Sequence, residues 1–188
     1  LAVFAGPGFD NDSYFVDYET IAGGMGARAY RDGMDAVRVH ASGASNLPIE
    51  TLEHAYPLRI ERYALRDHSG GAGKYRGGTG VIRDYRALVD GVRVSLSAER
   101  QHVPAPGLGG GGNGQVGQFV LNPGRPDERV LLSAEADVAL PRGTVLSIRT
   151  PGGGACGPSS ERDAAALARD VQEGRGPSDS AAGETSVA

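Results

Sequence analysis

Glycine content constrains the fold of this chain more than any other feature, because glycine supplies 30 of the 188 residues. That is about twice the usual frequency of roughly 7%. The glycines gather in loops without a fixed period, which excludes a collagen-like repeat. They indicate many turns with positive φ, or many places where backbone segments approach each other closely. We therefore expect a rigid, loop-rich β fold rather than a helical bundle.

The charge and hydropathy of the chain exclude two classes of function. The formal net charge is -4, and the 19 basic residues are spread along the chain, so we expect no nucleic-acid binding. No apolar run approaches the roughly 18–20 residues of a membrane span, and no secretory signal is evident. Cys156 is the single cysteine, which rules out an internal disulfide and favours a reducing, cytoplasmic location.

Short apolar segments bounded by turn residues predict strands. The predicted strands cover residues 1–5, 14–18, 58–66, 81–89, 92–98, 118–121, 130–132 and 144–148. Asp90-Gly91 separates two of them and is the strongest short hairpin signal in the chain. We therefore expect 81–89 and 92–98 to pair with each other.

Two segments predict helices. Asn46 suits an N-cap, Pro48 is tolerated in a first turn, and Pro57 ends the helix after two to three turns. A capping-box-like pattern at Ser160 opens a second helix that extends to about Val171.

Together these segments predict an α+β fold that is predominantly β. Antiparallel strands are joined by glycine-rich loops, with one short internal helix and one C-terminal helix. We expect one folded region over residues 1–173. Residues 174–188 are rich in Gly, Ser, Ala and Pro, which predicts a disordered tail.

Several motifs fail the tests for the chemistry that they suggest. Gly73-Lys74 lacks both the first glycine and the hydroxyl residue of a phosphate-binding loop. The glycines at 112, 114 and 117 precede a strand rather than a helix, unlike a dinucleotide-binding turn. The histidines, His40, His54, His68 and His102, show no metal-ligand spacing, so we expect no metal site within this chain. No base is identifiable near Cys156 in the sequence, so we assign it no nucleophilic role.

Glu50 and Glu53 lie three residues apart and share a face of the predicted internal helix. Paired carboxylates can divide acid and base roles when their environments separate their pKa values. Acids in a first helical turn are also favoured simply by the helix dipole, on a solvated face. Spacing alone leaves both interpretations open.

Taken together, the motifs resemble one family. The matching segments, in chain order, are YETIAGGMGA (18–27), NLPIETLE (46–53), YPLRIERY (56–63), SGGAGKYRGG (69–78) and TPGGG (150–154). The segment SAER (97–100) departs by one residue from a contiguous S-E-R. These motifs resemble the hydantoinase B/oxoprolinase family, which is also similar to a subunit of acetone-type carboxylases.

The resemblance implies an ATP-dependent enzyme of two polypeptides. A B-type polypeptide works with an A-type polypeptide that binds ATP and Mg. Phosphorylation of a lactam or enolate oxygen activates the substrate, which is then attacked by water in cyclic-amide hydrolases or meets activated CO₂ in ketone carboxylases. The alternatives for this chain are therefore a cyclic-amide hydrolase, a ketone carboxylase subunit, or a non-catalytic β-rich scaffold. A free-standing ligand-binding β module is a further option.

The resemblance covers only about the C-terminal third of a B-type subunit. A divalent metal is expected in the N-terminal part of that subunit, so we expect this chain to act with that part and with the A-type subunit. Because the chain begins at Leu1 inside sequence with strand character, we expect a fragment or a processed piece. The site residues that we predict are Glu19, Glu50 and Glu53 as catalytic acids, and Asn46, Gly24 and Gly26 as contacts to a small-molecule substrate.

Overall fold

The computed structural model describes residues 1–10, 12–38, 42–43 and 45–175. In chain order its elements are β1 (Ala2–Pro7), β2 (Tyr14–Glu19), α1 (Ile49–Ala55), β3 (Leu58–Leu65), β4 (Val81–Ala87), β5 (Val92–Ser97), β6 (Gln118–Leu121), β7 (Arg129–Val130), β8 (Ala134–Leu140), β9 (Val145–Arg149) and α2 (Ala164–Gln172), with a 3-10 turn at Ser159–Glu161. The predicted α+β class, predominantly β and antiparallel, is confirmed. No helix in these ranges is long and apolar enough to cross a membrane.

The strands form two sheets that pack face to face. One sheet has the order β2-β1-β5-β8 and the other β3-β4-β9-β6-β7, and every pairing is antiparallel. Alternating apolar side chains from both sheets meet in one core, and the rings of Phe4 in β1 and Tyr85 in β4 lie 4.7 Å apart. Leu52 of α1 is fully buried in the same core. Helix α1 therefore covers the open end of the sandwich beside β2 and β3.

The predicted hairpin at Asp90-Gly91 is wrong, although both of its strands exist. β4 pairs with β3 and β9 in one sheet, whereas β5 pairs with β1 and β8 in the other. Gly91, with a φ of +84°, lies where the chain crosses between sheets. A turn is present as predicted, but a turn can connect two sheets as well as two neighbouring strands.

Both predicted helix starts are also wrong in detail. The N-cap of α1 is Pro48, without a side-chain hydrogen bond, because the amide of Asn46 is bonded elsewhere. The N-cap of α2 is Asp163, whose carboxylate accepts a hydrogen bond from the backbone N–H of Ala166. Ser160 lies in the 3-10 turn that precedes α2. Strand β8 was not predicted, because its small and acidic residues carry little strand signal.

Four glycine-rich segments lie beside one another outside the two sheets, and we call them the glycine array. They are residues 23–34, 69–80, 105–117 and 150–157. Backbone hydrogen bonds join them: the N–H of Gly71 donates to the carbonyl of Gly153, that of Gly153 to Gly78, and that of Gly78 to Met25, at 2.8–2.9 Å. The array is thus held by peptide groups of different segments rather than by side chains.

Close approach of backbones, rather than turn geometry, explains most of the glycines. A Cβ on Gly77 would lie 1.9 Å from the carbonyl oxygen of Gly153, and one on Gly152 would lie 1.8 Å from that of Ser69. Eight of the described glycines have a positive φ. Of the two explanations that the glycine content allowed, the structure favours backbone contact.

Only Gly174 and Arg175 of the predicted tail fall within the described residues. The backbone N–H of Arg175 donates to the carbonyl of Asp170 at 2.7 Å. Residues 176–188 lie outside the described part, so their disorder stays a prediction.

Candidate functional site

Strand β2 places two carboxylates inside the protein. Its residues alternate between buried and exposed, so Asp17 and Glu19 point inward with Phe15, while Tyr18 points outward. Asp17 is 6% exposed and Glu19 is 3% exposed. Because buried charges are costly unless they are paired or hydrogen-bonded, the partners of these two acids decide what they can do.

Glu19 is held by a cation from the opposite sheet and by an amide from the segment before α1. Nη1 of Arg83 donates to Oε2 of Glu19 at 3.0 Å, and the Arg83 side chain is fully buried. Nδ2 of Asn46 donates to the same oxygen at 3.0 Å, and Nη2 of Arg38 donates to Oδ1 of Asn46 at 3.3 Å. These contacts link both sheets and the entry to α1 through one carboxylate.

Aromatic rings surround the Arg83 guanidinium. Its central carbon lies 4.9 Å from the ring centre of Tyr63 and 5.1 Å from that of Tyr85. Such contacts favour the cation without satisfying its hydrogen-bond donors. Burial raises the pKa of the Tyr85 phenol well above its usual range, so this ring carries a neutral hydroxyl.

We call this group the cleft cluster: Asp17, Glu19, Arg38, Asn46, Arg83 and Tyr85. It borders a cleft of about 580 Å³, whose walls come from residues 17–20 and 45–48 together with Arg38 and Tyr56. Asp17, Glu19 and Asn46 line the cleft directly. Arg83 is fully buried and supports the cleft wall through Glu19.

The cleft cluster has hydrogen-bonding capacity to spare. Eight buried side-chain atoms within the described ranges lack a hydrogen-bond partner, and five belong to this cluster: Oδ2 of Asp17, Oε1 of Glu19, Nε and Nη2 of Arg83, and the hydroxyl of Tyr85. Burial and the neighbouring charge of Glu19 raise the pKa of Asp17 to about 6, against the opposing effect of Arg83. The cleft therefore presents both acceptors and a carboxyl that holds a proton near neutral pH.

A second buried group of charges, the paired cluster, fastens α2 to the glycine array. It consists of Asp32, Asp35, Arg76, Arg162, Asp170 and Arg175. Arg76 donates to Asp35 at 2.9 Å and to Asp170 at 3.2 Å, and Arg162 donates to Asp32 at 2.9 Å and 3.0 Å. Burial opposes ionisation of Asp35, but hydrogen bonds from Thr79 and Arg76 outweigh it and hold the pKa of this carboxyl below its usual range.

Comparison with known proteins identifies the family. The family described as hydantoinase B/oxoprolinase matches residues 1–159. This chain belongs to the hydantoinase B/oxoprolinase family. The match ends before α2, so the paired cluster includes residues on both sides of that limit.

One relative of this family member is described as a putative D-/L-hydantoinase B polypeptide, from a Pseudomonas species, strain NS671. It is 36% identical over 93% of this chain and 29% of its own length. Two solved structures share the fold. The ATP-dependent caprolactamase of Pseudomonas jessenii has a TM-score of 0.78 at 22% identity, covering 92% of this chain and 31% of its own. Acetone carboxylase in its nucleotide-free form has a TM-score of 0.71 at 20% identity, covering 97% and 28%.

This hydantoinase B/oxoprolinase chain spans a minority of the length of its relatives. It covers 27% and 29% of two curated relatives, and 12% of a third. The activity, substrates and partners of the whole protein therefore belong to the proposals below.

The structure brings together two of the predicted site residues of this hydantoinase B/oxoprolinase chain, Glu19 and Asn46. Glu53 lies on α1 and its Oε1 accepts a hydrogen bond at 2.8 Å from the backbone N–H of Ile60, beside the bulge in β3. Glu50 is exposed on the same helix. Spacing on α1 predicted a shared role for the two glutamates, yet their surroundings differ, and their catalytic role stays a prediction.

The two predicted substrate-binding glycines lie in the glycine array. The N–H of Gly24 donates to the carbonyl of Pro151 at 2.9 Å, and a Cβ on Gly24 would lie 1.9 Å from the oxygen of Gly78. Gly26 is exposed, and a Cβ on it would lie 3.8 Å from the carbonyl oxygen of Gly154. Substrate contact by either glycine stays a prediction.

Asp17 and Arg83 were not predicted from the sequence. The alternation that buries Phe15 also buries Asp17, so the two-residue period of β2 was a usable signal. Arg83 had a weaker signal, as the one basic residue on the inward face of β4.

Metal ligands are also part of the candidate-site question. Within the described ranges, no group of three or more His, Cys, Asp or Glu is arranged to hold a metal ion. His40 lies outside those ranges.

Proposed function

We propose that this chain is the C-terminal part of the B-type subunit of an ATP-dependent cyclic-amide hydrolase, of the hydantoinase and 5-oxoprolinase kind. Membership of the hydantoinase B/oxoprolinase family is the observation that carries the proposal. The similarity to a hydantoinase B polypeptide over 93% of this chain supports it. Residues 1–173 then form the folded region that completes one side of the active site.

The remaining components come from other polypeptide segments. We propose that ATP and Mg are bound by an A-type subunit, and that a divalent metal, where present, is bound by the N-terminal part of the B-type subunit. The described residues do not fit a metal centre, which supports placing it outside them. We place the complex in the cytoplasm, where ATP is available and Cys156 remains reduced.

In this proposal the cleft receives a small cyclic amide. A lactam presents an N–H donor and a C=O acceptor on one edge, and Oε1 of Glu19 can accept the N–H because Oε2 is already bonded. Asn46 and Arg83 keep the Glu19 carboxylate in place. Glu50, Glu53, Gly24 and Gly26 are proposed to support the walls of the cleft and the substrate's approach to it.

The test uses the full-length B-type subunit purified with its A-type partner. Substrate-dependent release of phosphate from ATP is measured with hydantoin, 5-oxoproline and caprolactam. Glu19→Gln keeps the size of the side chain but removes its charge, and should lower kcat by about 100-fold or more if Glu19 acts at the substrate. Glu128→Gln is the matched control, since Glu128 is exposed and accepts a backbone hydrogen bond at the far edge of the other sheet.

Two other functions give different results in the same assay. A ketone carboxylase subunit, suggested by the shared fold with acetone carboxylase, requires bicarbonate and a ketone for ATP turnover. A non-catalytic scaffold leaves turnover unchanged in Glu19→Gln, Glu50→Gln and Glu53→Gln. The extensive backbone pairing of the glycine array is the observation that favours the scaffold.

A further inference from the structure

We propose that Asp17 is the residue of the cleft that donates a proton to the ring nitrogen of the substrate. The inference rests on the proposed function and adds to it a residue that no family motif contains. Asp17 precedes the YETIAGGMGA segment by one position.

The position of Asp17 is the first support. Its carboxyl lines the cleft although the residue is only 6% exposed, and its Oδ2 has no hydrogen-bond partner within the described ranges. Across the sheet it is paired in register with Phe4 of β1, which brings no titratable group. A buried carboxyl with a spare oxygen at the wall of a cleft is available to a ligand.

The charged neighbours of Asp17 favour its neutral form. Glu19 is on the same face of the same strand, and Arg83 of β4 gives its hydrogen bond to Glu19 rather than to Asp17. The titratable groups that face this region from the other elements are Tyr85 of β4, Tyr63 of β3, Tyr56 after α1, and Arg38. Burial, then the charge of Glu19, raise the pKa of Asp17 to about 6, while Arg83 opposes both.

Two carboxyls with different partners can divide two tasks. Glu19 has its charge balanced by Arg83 and accepts hydrogen bonds. Asp17 carries a proton at the pH where its neighbour carries a charge. The sequence spacing predicted such a pair on α1, between Glu50 and Glu53, whereas β2 provides it at a spacing of two residues.

The chemical step is the opening of the ring. When the C–N bond breaks, its electron pair passes to nitrogen, and nitrogen takes the proton from the Asp17 carboxyl. The product nitrogen is then neutral, and the Asp17 carboxylate regains a proton from solvent. The step needs no oxidant or reductant. Without the acid, nitrogen would leave as an anion, which is a poor leaving group.

The experiment compares Asp17→Asn with the unchanged full-length complex between pH 5 and pH 9. In the unchanged complex, kcat should fall as the pH rises through about 6, since the acid must be protonated. Asp17→Asn should lower kcat by about 100-fold at pH 5.5 and abolish this part of the pH profile. The matched control, Glu128→Gln, should keep both the rate and the profile. A variant Asp17→Asn that keeps the wild-type rate and pH profile overturns the proposal.

A second measurement separates this inference from the proposed function. The Asp17 carboxyl is titrated by carbon NMR in the full-length B-type subunit, with Asp17→Asn used for assignment. A midpoint near 6 supports a proton-holding Asp17 even if none of the cyclic amides is turned over, and in that case only the substrate class is wrong. A midpoint near 4 overturns the acid role, whatever the substrate.

Discussion

The cleft cluster and the paired cluster are both buried groups of arginines and acids, but they differ in how far their hydrogen bonds are satisfied. Among the described residues, five buried atoms of the cleft cluster lack a partner, whereas the paired cluster has one, Nε of Arg175. Each unsatisfied buried polar atom costs on the order of 1–3 kcal/mol. The paired cluster thus has the character of a fastening, while the cleft cluster retains capacity that the fold itself does not use.

The two clusters also stand on different supports. The cleft cluster is carried by strands of both sheets, and its residues are fixed by ladder geometry. The paired cluster joins α2 to the glycine array, since Arg76 and Asp32 come from array segments and Asp170 comes from α2. Changes in the array should therefore reach the paired cluster first, and this difference can be tested.

The largest effect is expected from Gly77→Ala. The added methyl group would lie 1.9 Å from the carbonyl oxygen of Gly153, so two array segments must separate. We expect a loss of about 5 kcal/mol or more in the free energy of unfolding, measured by urea denaturation. Gly26→Ala is the matched control, because its methyl group would have space, and it should change stability by less than about 1 kcal/mol. Similar stabilities of the two variants would show that the array is not closely packed.

A smaller loss is expected from Arg76→Met, which keeps the length of the side chain but removes the cation. Asp35 and Asp170 would lose a buried partner, and breaking such pairs costs on the order of 3–5 kcal/mol. Urea denaturation gives the loss in free energy, and amide hydrogen exchange in α2 shows whether the helix is released first. A loss below about 1 kcal/mol would mean that solvent replaces the cation, and the contrast between the clusters would disappear.

The smallest effect, and one of opposite sign, is expected from Asp17→Asn. Because the pKa of Asp17 is raised to about 6 in the folded chain, the folded state binds this proton more tightly than the unfolded state. The chain therefore loses stability as the pH rises from about 4 to above 6, by at most about 3 kcal/mol. Asp17→Asn should be more stable than the unchanged chain at pH 8 and equal to it at pH 3.5, as measured by urea denaturation at each pH.

The control for this measurement is Asp12→Asn, since Asp12 is exposed. It should show the same difference from the unchanged chain at both pH values. An Asp17→Asn variant that is less stable at pH 8 than at pH 3.5, relative to the unchanged chain, would contradict the assigned direction.

Hydrophobic alternation was enough to predict most strands and the class of the fold, because each strand has one buried face. Pairing was harder, since the turn at Asp90-Gly91 is compatible with a hairpin and with a crossing between sheets. The cleft depends on contacts far apart in sequence: Arg83 reaches Glu19 across 64 residues, and Asn46 reaches it across 27. Motif resemblance led to Glu19 and Asn46, but only the fold shows that Asp17 and Arg83 complete the cluster.

The glycine array has a calorimetric consequence. Its packing removes peptide groups from water, with few apolar side chains, and exposing polar surface on unfolding lowers the heat capacity while exposing apolar surface raises it. The array should therefore contribute little to the heat-capacity increment of unfolding, so the whole chain should fall below the usual 12–15 cal/mol/K per residue, at about two-thirds of it or less. A flatter dependence of stability on temperature would follow, with the fold losing less of its stability on cooling than a domain of equal size with a larger apolar core.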